Sequence, residues 1–177
     1  MLTRSHHDLA PMSLSLRIMT WVVMIIPISF VVVTLKVPSP LRWVMGGTTV
    51  FLFLTYASVW FFWRPTRFEL GEGGLKIIWP VRARFIPLHA IAGAREVSGR
   101  EFRREYGYGM RIGAGGLWGG FGLLKTAKTT FSMWISRTDD LVIVTLREGR
   151  PLLITPEHPR QLVEAIERTL AHGSEAS

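Results

Sequence analysis

One segment of this chain combines residue types that can bind a charged ligand. Between residues 100 and 111, four arginines are interleaved with three aromatic side chains. Guanidinium groups form paired hydrogen bonds with phosphate, and aromatic rings collect among lipid headgroups, so the mixture suits contact with an anionic lipid or a charged partner. A solvated loop in which Glu101 and Glu105 form local ion pairs is the competing interpretation. The candidate residues are Arg100, Phe102, Arg103, Arg104, Tyr106, Tyr108 and Arg111, and Lys125 and Lys128 could extend the basic surface.

A glycine-rich stretch follows that segment. Residues 113–122 contain six glycines, but not at the spacing of a phosphate-binding loop. Tight backbone packing or a strand bend is the structural interpretation. The alternative is an apolar loop that enters the headgroup region of a membrane, with Leu117, Trp118 and Phe121 as its candidate lipid contacts.

Residue types that are usual in catalysis and metal binding form no recognisable pattern. The chain contains no cysteine, which excludes disulfides, thiolate metal sites and cysteine nucleophiles. His6 and His7 lie in what we expect to be a flexible N-terminal tail, whereas Asp139 and Asp140 fall at a predicted turn, where aspartate is common. We therefore predict no catalytic residue, no metal site and no cofactor. We therefore expect that this protein is not an enzyme. An enzyme acting on lipid or cell-wall precursors is the less favoured alternative.

Two uncharged stretches lie near the start of the chain, before the segment that carries the candidate binding residues. They run from Ile18 to Leu35 and from Trp43 to Trp63, and 7 residues separate them. As helices they would be about 27 Å and 32 Å long, close to the thickness of the hydrocarbon core of a bilayer. A soluble protein that buried both would need a larger core than this chain can build. The pattern predicts a hairpin of two transmembrane helices.

Basic residues predict the orientation of this hairpin. The chain carries 21 Lys and Arg against 13 Asp and Glu, a net charge of +8. Loops that remain in the cytoplasm are enriched in Lys and Arg, so the more basic flanks belong there. We expect a multi-pass protein of the inner (plasma) membrane with both termini in the cytoplasm. The outer flanks hold Arg4, Arg17, Arg64, Arg67, Arg82 and Arg84, whereas the connecting loop holds only Lys36 and Arg42.

After Trp63 the apolar pattern becomes short and alternating, with frequent turn residues, which is typical of β-strands. A final helix begins near Pro159, because apolar residues then recur at helical spacing. One helix after about seven strands cannot wind a parallel sheet, so it must cover an antiparallel barrel or sandwich. The predicted strands are 67–70, 75–79, 82–88, 94–98, 129–136, 141–146 and 151–154, and the apolar stripe of the helix is Leu162, Val163, Ile166 and Leu170.

This segment resembles the bacterial pleckstrin-homology-like (bacterial PH) domains. The resemblance rests on Gly119-Gly120-Phe121-Gly122, on the alternation over 131–138, on Leu141-Val142-Ile143-Val144, and above all on Ile154-Thr155-Pro156-Glu157-His158-Pro159 before the last helix. It covers residues 67–170, and two preceding membrane helices are frequent in that family. The resemblance implies two antiparallel sheets packed nearly orthogonally, a C-terminal helix closing one end, and no enzymatic residue to carry over.

These observations divide the chain into four segments and predict its role. The segments are a cytoplasmic tail (1–17), the transmembrane hairpin (18–63, with spans 18–35 and 43–63), the PH-like domain (67–171) and a C-terminal tail (172–177). We predict a membrane-surface binding or protein-assembly module that contacts the bilayer, anionic headgroups, and a protein partner or a second copy, but no nucleic acid. The alternative is an accessory subunit of a larger membrane complex, docked through Gly46, Gly47, Thr48 and Thr49 of the hairpin.

Overall fold

A computed structural model describes the backbone of residues 5–71 and 73–175, and side chains as far as residue 172. Two long helices lie between the first strand and the rest of a β-rich domain. That domain has one sheet of four strands and one of six, with a helix at the C-terminal end. The predicted fold class is confirmed.

The two helices are α1, Leu14–Lys36, and α2, Leu41–Ser58, which continues as a π-helical turn over Val59–Trp63. Both are long and apolar enough to cross a membrane, and only 11% and 6% of their most apolar windows are buried. Their outward apolar side chains therefore distinguish them from the core helices of a soluble protein. The helices contact each other through Thr34 and Thr49, whose hydroxyl oxygens are 3.1 Å apart, and through Tyr56, which donates to the carbonyl of Val23 at 2.9 Å.

The four-stranded sheet contains a strand that the sequence analysis missed. It consists of β1 (Ser5–Asp8), β2 (Arg67–Gly71), β3 (Gly74–Ile78) and β4 (Ala83–Pro87), in that order. β1 pairs antiparallel with β2, and His7 lies opposite Phe68. The expected flexible tail at His6 and His7 is therefore wrong: these residues form an edge strand. The buried His7 alternates with exposed residues on this strand. The sequence does not reveal that alternation, because its neighbours His6 and Asp8 are polar, as His7 is itself.

The six-stranded sheet consists of β5 (Ile91–Val97), β6 (Met110–Gly115), β7 (Gly120–Lys125), β8 (Thr130–Ile135), β9 (Leu141–Leu146) and β10 (Leu152–Ile154). Its order is β5-β9-β10-β8-β7-β6. After the turn from β9, β10 enters between β9 and β8, and it therefore runs parallel to β8. The sheet is mixed rather than wholly antiparallel as expected.

Glycines explain why β6 and β7 escaped the strand prediction. Gly113 and Gly122 lie opposite each other, with φ angles of 138° and 124°. A Cβ at either position would collide with the backbone of the facing strand. The close approach of the two strands therefore requires glycine, and the same glycines remove the apolar alternation by which a strand is recognised.

Two apolar cores lie on opposite faces of the six-stranded sheet. The inner core lies between the two sheets and helix α4, Pro159–Glu175. Leu162 and Ile166 are fully buried there, and Val163 and Leu170 pack against its edge, which confirms the predicted apolar stripe. The outer core, on the other face, is covered by a short helix, α3 (Gly99–Tyr106). The central strands β8, β9 and β10 thus bury both of their faces, whereas the edge strand β6 is largely exposed.

Candidate functional site

Most of the arginine-rich segment forms helix α3 instead of the loop that we expected, whereas Tyr108 follows the helix and Arg111 lies in β6. Ser98 caps its first turn: the Ser98 hydroxyl accepts a hydrogen bond from the Glu101 amide, and the Glu101 carboxylate accepts one from the Ser98 amide. That backbone hydrogen bond lowers the pKa of Glu101. Asp139 accepts a hydrogen bond from the amide of Gly99 at 2.7 Å. These contacts satisfy amides that a helix start leaves unpaired.

Aromatic side chains fix α3 to the outer face of the sheet. Phe102 and Tyr106, four residues apart, share one face of the helix. Both rings contact Phe131 of β8, with centroid distances of 5.3 Å and 4.9 Å. Phe102 is only 6% exposed, so most of its ring serves to anchor the helix.

An ion pair from the neighbouring strand reinforces this attachment. Arg95 of β5 donates to the carboxylate of Glu105 at 2.6 Å and to the hydroxyl of Tyr106 at 3.1 Å. The guanidinium of Arg95 lowers the pKa of Glu105. Glu101 and Glu105 both reduce the positive charge of the arginine-rich segment. Glu105 pairs with Arg95, which lies outside that segment, and Glu101 caps the helix.

The four predicted arginines do not act as one patch. Arg103 and Arg111 line a cleft of about 310 Å³ between α3 and the sheet, whereas Arg100 and Arg104 are exposed elsewhere on the helix. We call this space the arginine cleft. Its lining consists of Gly99, Phe102, Arg103, Gly107, Tyr108, Gly109, Arg111, Leu124, Ile135, Thr138, Leu141 and Leu153.

The arginine cleft combines an apolar floor with positive charge. Leu124, Leu141 and Leu153 belong to the outer core and form part of the lining. Nε of Arg103 donates to the carbonyl of Gly99 at 3.2 Å. Among the described residues, neither Arg103 nor Arg111 forms an ion pair with a carboxylate. The arrangement can hold a ligand that carries both an apolar part and a negative charge.

The glycine-rich loop packs against the hairpin and is not free to enter a membrane by itself. Leu117 and Phe121 are buried, at 9% and 1% exposure, and both belong to the inner core. Burial removes these two side chains from the candidate lipid contacts. Trp118 is half-buried, and its ring meets that of Trp60 edge-on at 4.9 Å.

One buried hydroxyl connects the loop with α1. Thr20 donates to the carbonyl of Gly116 and accepts from the amide of Trp118, both at 3.0 Å. Together with Trp60, these residues form what we call the hairpin–domain junction. Nothing in the sequence pattern singles out Thr20, which lies in the middle of an apolar run.

The ten predicted contact residues thus fall into three groups. Phe102, Leu117 and Phe121 are buried, and Tyr106 and Trp118 are half-buried in ring contacts. The remaining five are exposed, and three of them, Arg103, Tyr108 and Arg111, come together at the cleft. The spacing of Ser98 and Glu101, which is that of a capping box, is the signal that could have predicted α3.

A separate buried histidine lies in β1. His7 is 6% exposed, and among the described atoms its Nε2 has no hydrogen-bond partner. Burial lowers the pKa of His7 below its ordinary value of 6.5, and the nearby His158 and His6 lower it further. In the part of the chain that the structure describes, no group of three or more potential metal ligands is present.

These features define a PH-like domain built onto a pair of apolar helices. The model of the bacterial PH domain family matches residues 66–170, and the chain belongs to that family. Membership indicates a module associated with membranes or lipids, of a kind that generally binds and does not catalyse. No curated protein and no solved structure matches the chain.

Proposed function

We propose that this protein is a non-enzymatic, two-span protein of the inner membrane whose PH-like domain serves as a binding or assembly module at the cytoplasmic surface. Its partners would be anionic lipid headgroups, and a protein or a second copy of the chain. Family membership supports an association with membranes or lipids. The remaining steps rest on how the domain is attached to its helices.

Pairing of β1 with β2 carries the proposal. β1 ends at Asp8, before α1 begins, and β2 begins at Arg67, after the helical hairpin ends. Their pairing along four residue positions brings both ends of the hairpin to the same sheet. Because a sheet cannot continue through the hydrocarbon core, both ends must lie on one side of the membrane.

Further contacts hold the domain close to the membrane surface. The amide of Ala10 donates to the carbonyl of Thr155 at 2.9 Å, and the amide of Ser13 donates to the carbonyl of Ser136 at 3.1 Å. The hairpin–domain junction adds the hydrogen bonds of Thr20 on α1. A domain attached at several points has little freedom to rotate, which suits a module that presents one face to lipid or to a neighbouring protein.

The basic residues support a cytoplasmic position for this domain. Lys and Arg near the ends of transmembrane helices favour the cytoplasmic side, and anionic lipids of the inner leaflet attract them by about 1 kcal/mol per charge. Arg17 and Arg64 flank the hairpin on the domain side, and the exposed Arg100, Arg103 and Arg104 of α3 add to the charge. The proposed module therefore faces the leaflet that it is best able to bind.

Single introduced cysteines test this proposal, since the chain has none of its own. Ser39→Cys places a thiol in the exposed loop between the helices, and Glu148→Cys places one in an exposed turn of the domain. We expect a membrane-impermeant maleimide to label the Ser39 variant in spheroplasts. The Glu148 variant should react only after the inner membrane is permeabilised.

Other labelling patterns would count against the proposal in distinct ways. Labelling of the Glu148 variant alone in intact spheroplasts would place the domain outside the cytoplasm. Equal labelling of both variants without permeabilisation, or of neither, would contradict a hairpin with its loop opposite the domain. The cysteine-free protein is the background control.

One observation favours the second candidate function, an accessory subunit docked through its hairpin. A Cβ added to Gly47 meets no atom within 4 Å, so this side of α2 is open to another helix. Gly46 and Thr49, in contrast, face α1, where they pack against Thr34. If the hairpin docks through Gly47, Gly47→Leu should abolish native co-purification of the partner, whereas Val50→Leu should not.

A further inference from the structure

We propose that the arginine cleft holds one acyl chain of an anionic membrane lipid, with the headgroup bound by Arg103 and Arg111. The inference rests on the proposed attachment of the domain to the membrane, and it names the ligand of that module. It goes beyond a general attraction between basic residues and anionic lipid, because it specifies two of the four arginines and an apolar compartment behind them.

The floor of the cleft suits hydrocarbon. Five apolar residues of the outer core belong to the cleft lining and are each at most 7% exposed, so they form its closed floor: Phe102, Leu124, Ile135, Leu141 and Leu153. The cleft volume of about 310 Å³ is at the lower end for small-molecule sites. At about 30 Å³ per water-sized group, it accommodates part of one acyl chain and excludes a second.

The charge at the cleft selects an anion. The described lining includes the guanidinium groups of Arg103 and Arg111 and no carboxylate. The bond from Nε of Arg103 to the carbonyl of Gly99 orients that side chain. Two guanidinium groups without carboxylate partners can donate several hydrogen bonds to one phosphate, which a neutral or zwitterionic headgroup would match less well.

The position of Arg111 connects the cleft with the membrane side of the domain. A Cβ added to Gly120 would lie 3.5 Å from Nη1 of Arg111. Gly120 begins β7 directly after the loop that hydrogen-bonds to Thr20 of α1. The charged group of Arg111 therefore reaches the end of the sheet that contacts the hairpin, where lipid headgroups are nearest.

Tyr108 provides a further contact at the same opening. It is 90% exposed and lines the cleft between Gly107 and Gly109. Tyrosine rings are favourable at the level of lipid headgroups. An apolar floor, two guanidinium groups without carboxylate partners and an exposed ring thus occur together in one cleft, and an anionic lipid matches all three.

Photo-crosslinking in a defined bilayer tests the inference. The full chain is placed in phosphatidylcholine nanodiscs that contain a small fraction of lysophosphatidylglycerol with a photoreactive group at the end of its chain. We expect cross-links to peptides that contain Leu124, Leu141 or Leu153. The same photoreactive group on lysophosphatidylcholine should give at least tenfold fewer cross-links to these peptides.

Two double variants that remove the same charge, one inside the cleft and one outside it, provide a matched control. The double substitution Arg103→Gln and Arg111→Gln should lower the lysophosphatidylglycerol cross-links at least tenfold. Arg100→Gln with Arg104→Gln removes the same charge outside the cleft and should change them less than twofold. Thr138→Phe, at an exposed position in the lining, should block the cleft at unchanged charge and also abolish the cross-links.

Three results would overturn the inference. These are cross-links confined to the hairpin, equal cross-linking by the zwitterionic probe, and equal losses in the two double variants. Competition by glycerol phosphate at the same concentration as the lipid would identify a site for free phosphate, and it would also overturn the acyl-chain assignment. Cysteine labelling at positions 39 and 148 tests the proposed hairpin independently, so a failed cleft with correct labelling leaves the membrane module intact.

Discussion

The two faces of the six-stranded sheet are covered very differently. The inner face is closed by a second sheet and by the 17 residues of α4, whereas the outer face is covered by the 8 residues of α3. Both faces bury apolar residues from the same strands: Val142 and Val144 point inward, and Leu141 and Ile143 point outward. Helix α3 is too short to cover the whole outer face of the sheet, and the arginine cleft is the space that it leaves open.

With the arginine cleft as the proposed binding site, this difference separates stability from binding within a single sheet. Burial of apolar area supplies most folding stability, so the inner core should determine whether the domain folds. The outer face leaves a cleft between α3 and the sheet and places the charged groups of Arg103 and Arg111 in its lining. Ligand sites generally belong to the less stable parts of a structure, and the outer face has that character here.

The largest expected effect is a truncation in the inner core. Ile166→Ala removes a fully buried side chain of α4 and should lower the free energy of unfolding by about 2 to 5 kcal/mol. Glu164→Ala breaks only an exposed pair with Arg168, at 3.9 Å, and should cost less than about 0.5 kcal/mol. Chemical denaturation of the full chain in detergent measures both. Equal effects would contradict the assignment of the buried face.

A truncation in the outer core should have a smaller and more local effect. Phe102→Ala removes one of the two rings that hold α3 on Phe131. We expect a loss of about 1 to 3 kcal/mol, below the range for a fully enclosed phenylalanine, because α3 can separate without opening the inner core. Hydrogen exchange should show loss of protection in α3 and unchanged protection in α4. Loss of protection in both helices would mean that the two faces unfold as one unit.

Removal of the N-terminal cap of α3 tests the stability of this helix with a milder change. Ser98→Ala deletes the hydroxyl that accepts from the Glu101 amide and should destabilise α3 by about 1 kcal/mol. Ser98→Thr, which keeps a hydroxyl that accepts from the Glu101 amide and donates to the Glu101 carboxylate, should restore most of the loss. Hydrogen exchange of the α3 amides measures both variants. No change in Ser98→Ala would show that the aromatic contacts alone hold the helix.

The smallest expected effect is a pH dependence of the stability of β1, the edge strand of the four-stranded sheet. Because the pKa of His7 is lowered in the folded state, the unfolded chain binds a proton at its ordinary value of 6.5 before the folded chain does. The stability of β1 should therefore be complete above that pH and decrease as the pH falls below it.

Hydrogen exchange in β1 and β2 at pH 7.5 and at pH 5.5 measures this effect. His7→Phe should remove the loss of protection at the lower pH, since it deletes the titrating group and keeps a ring. His89→Gln, at an exposed position, should leave the loss unchanged. A pH dependence that persists in His7→Phe would contradict the assignment to His7.

Sequence reasoning succeeded where local patterns carry the information. The two apolar runs predicted α1 and α2, and the spacing of Leu162 and Ile166 predicted the buried stripe of α4. The alternation over 129–136 and 141–146 predicted β8 and β9 to within one residue. The bacterial PH resemblance, drawn over 67–170, was confirmed at 66–170. Division of the chain into its four segments stays a prediction, although β1 lies in the predicted tail and pairs with the predicted domain.

Only the tertiary structure decided what lies opposite each residue. The pairing of His7 with Phe68 joins positions on either side of the hairpin, and no local pattern records it. The burial of Leu117 and Phe121 depends on α1 and on the second sheet, so their apolar character alone could not distinguish a core residue from a lipid contact. The division of the four arginines has the same origin. Neighbours on a short helix differ in their surroundings because the sheet beneath forms a cleft beside Arg103 and leaves Arg100 and Arg104 in solvent.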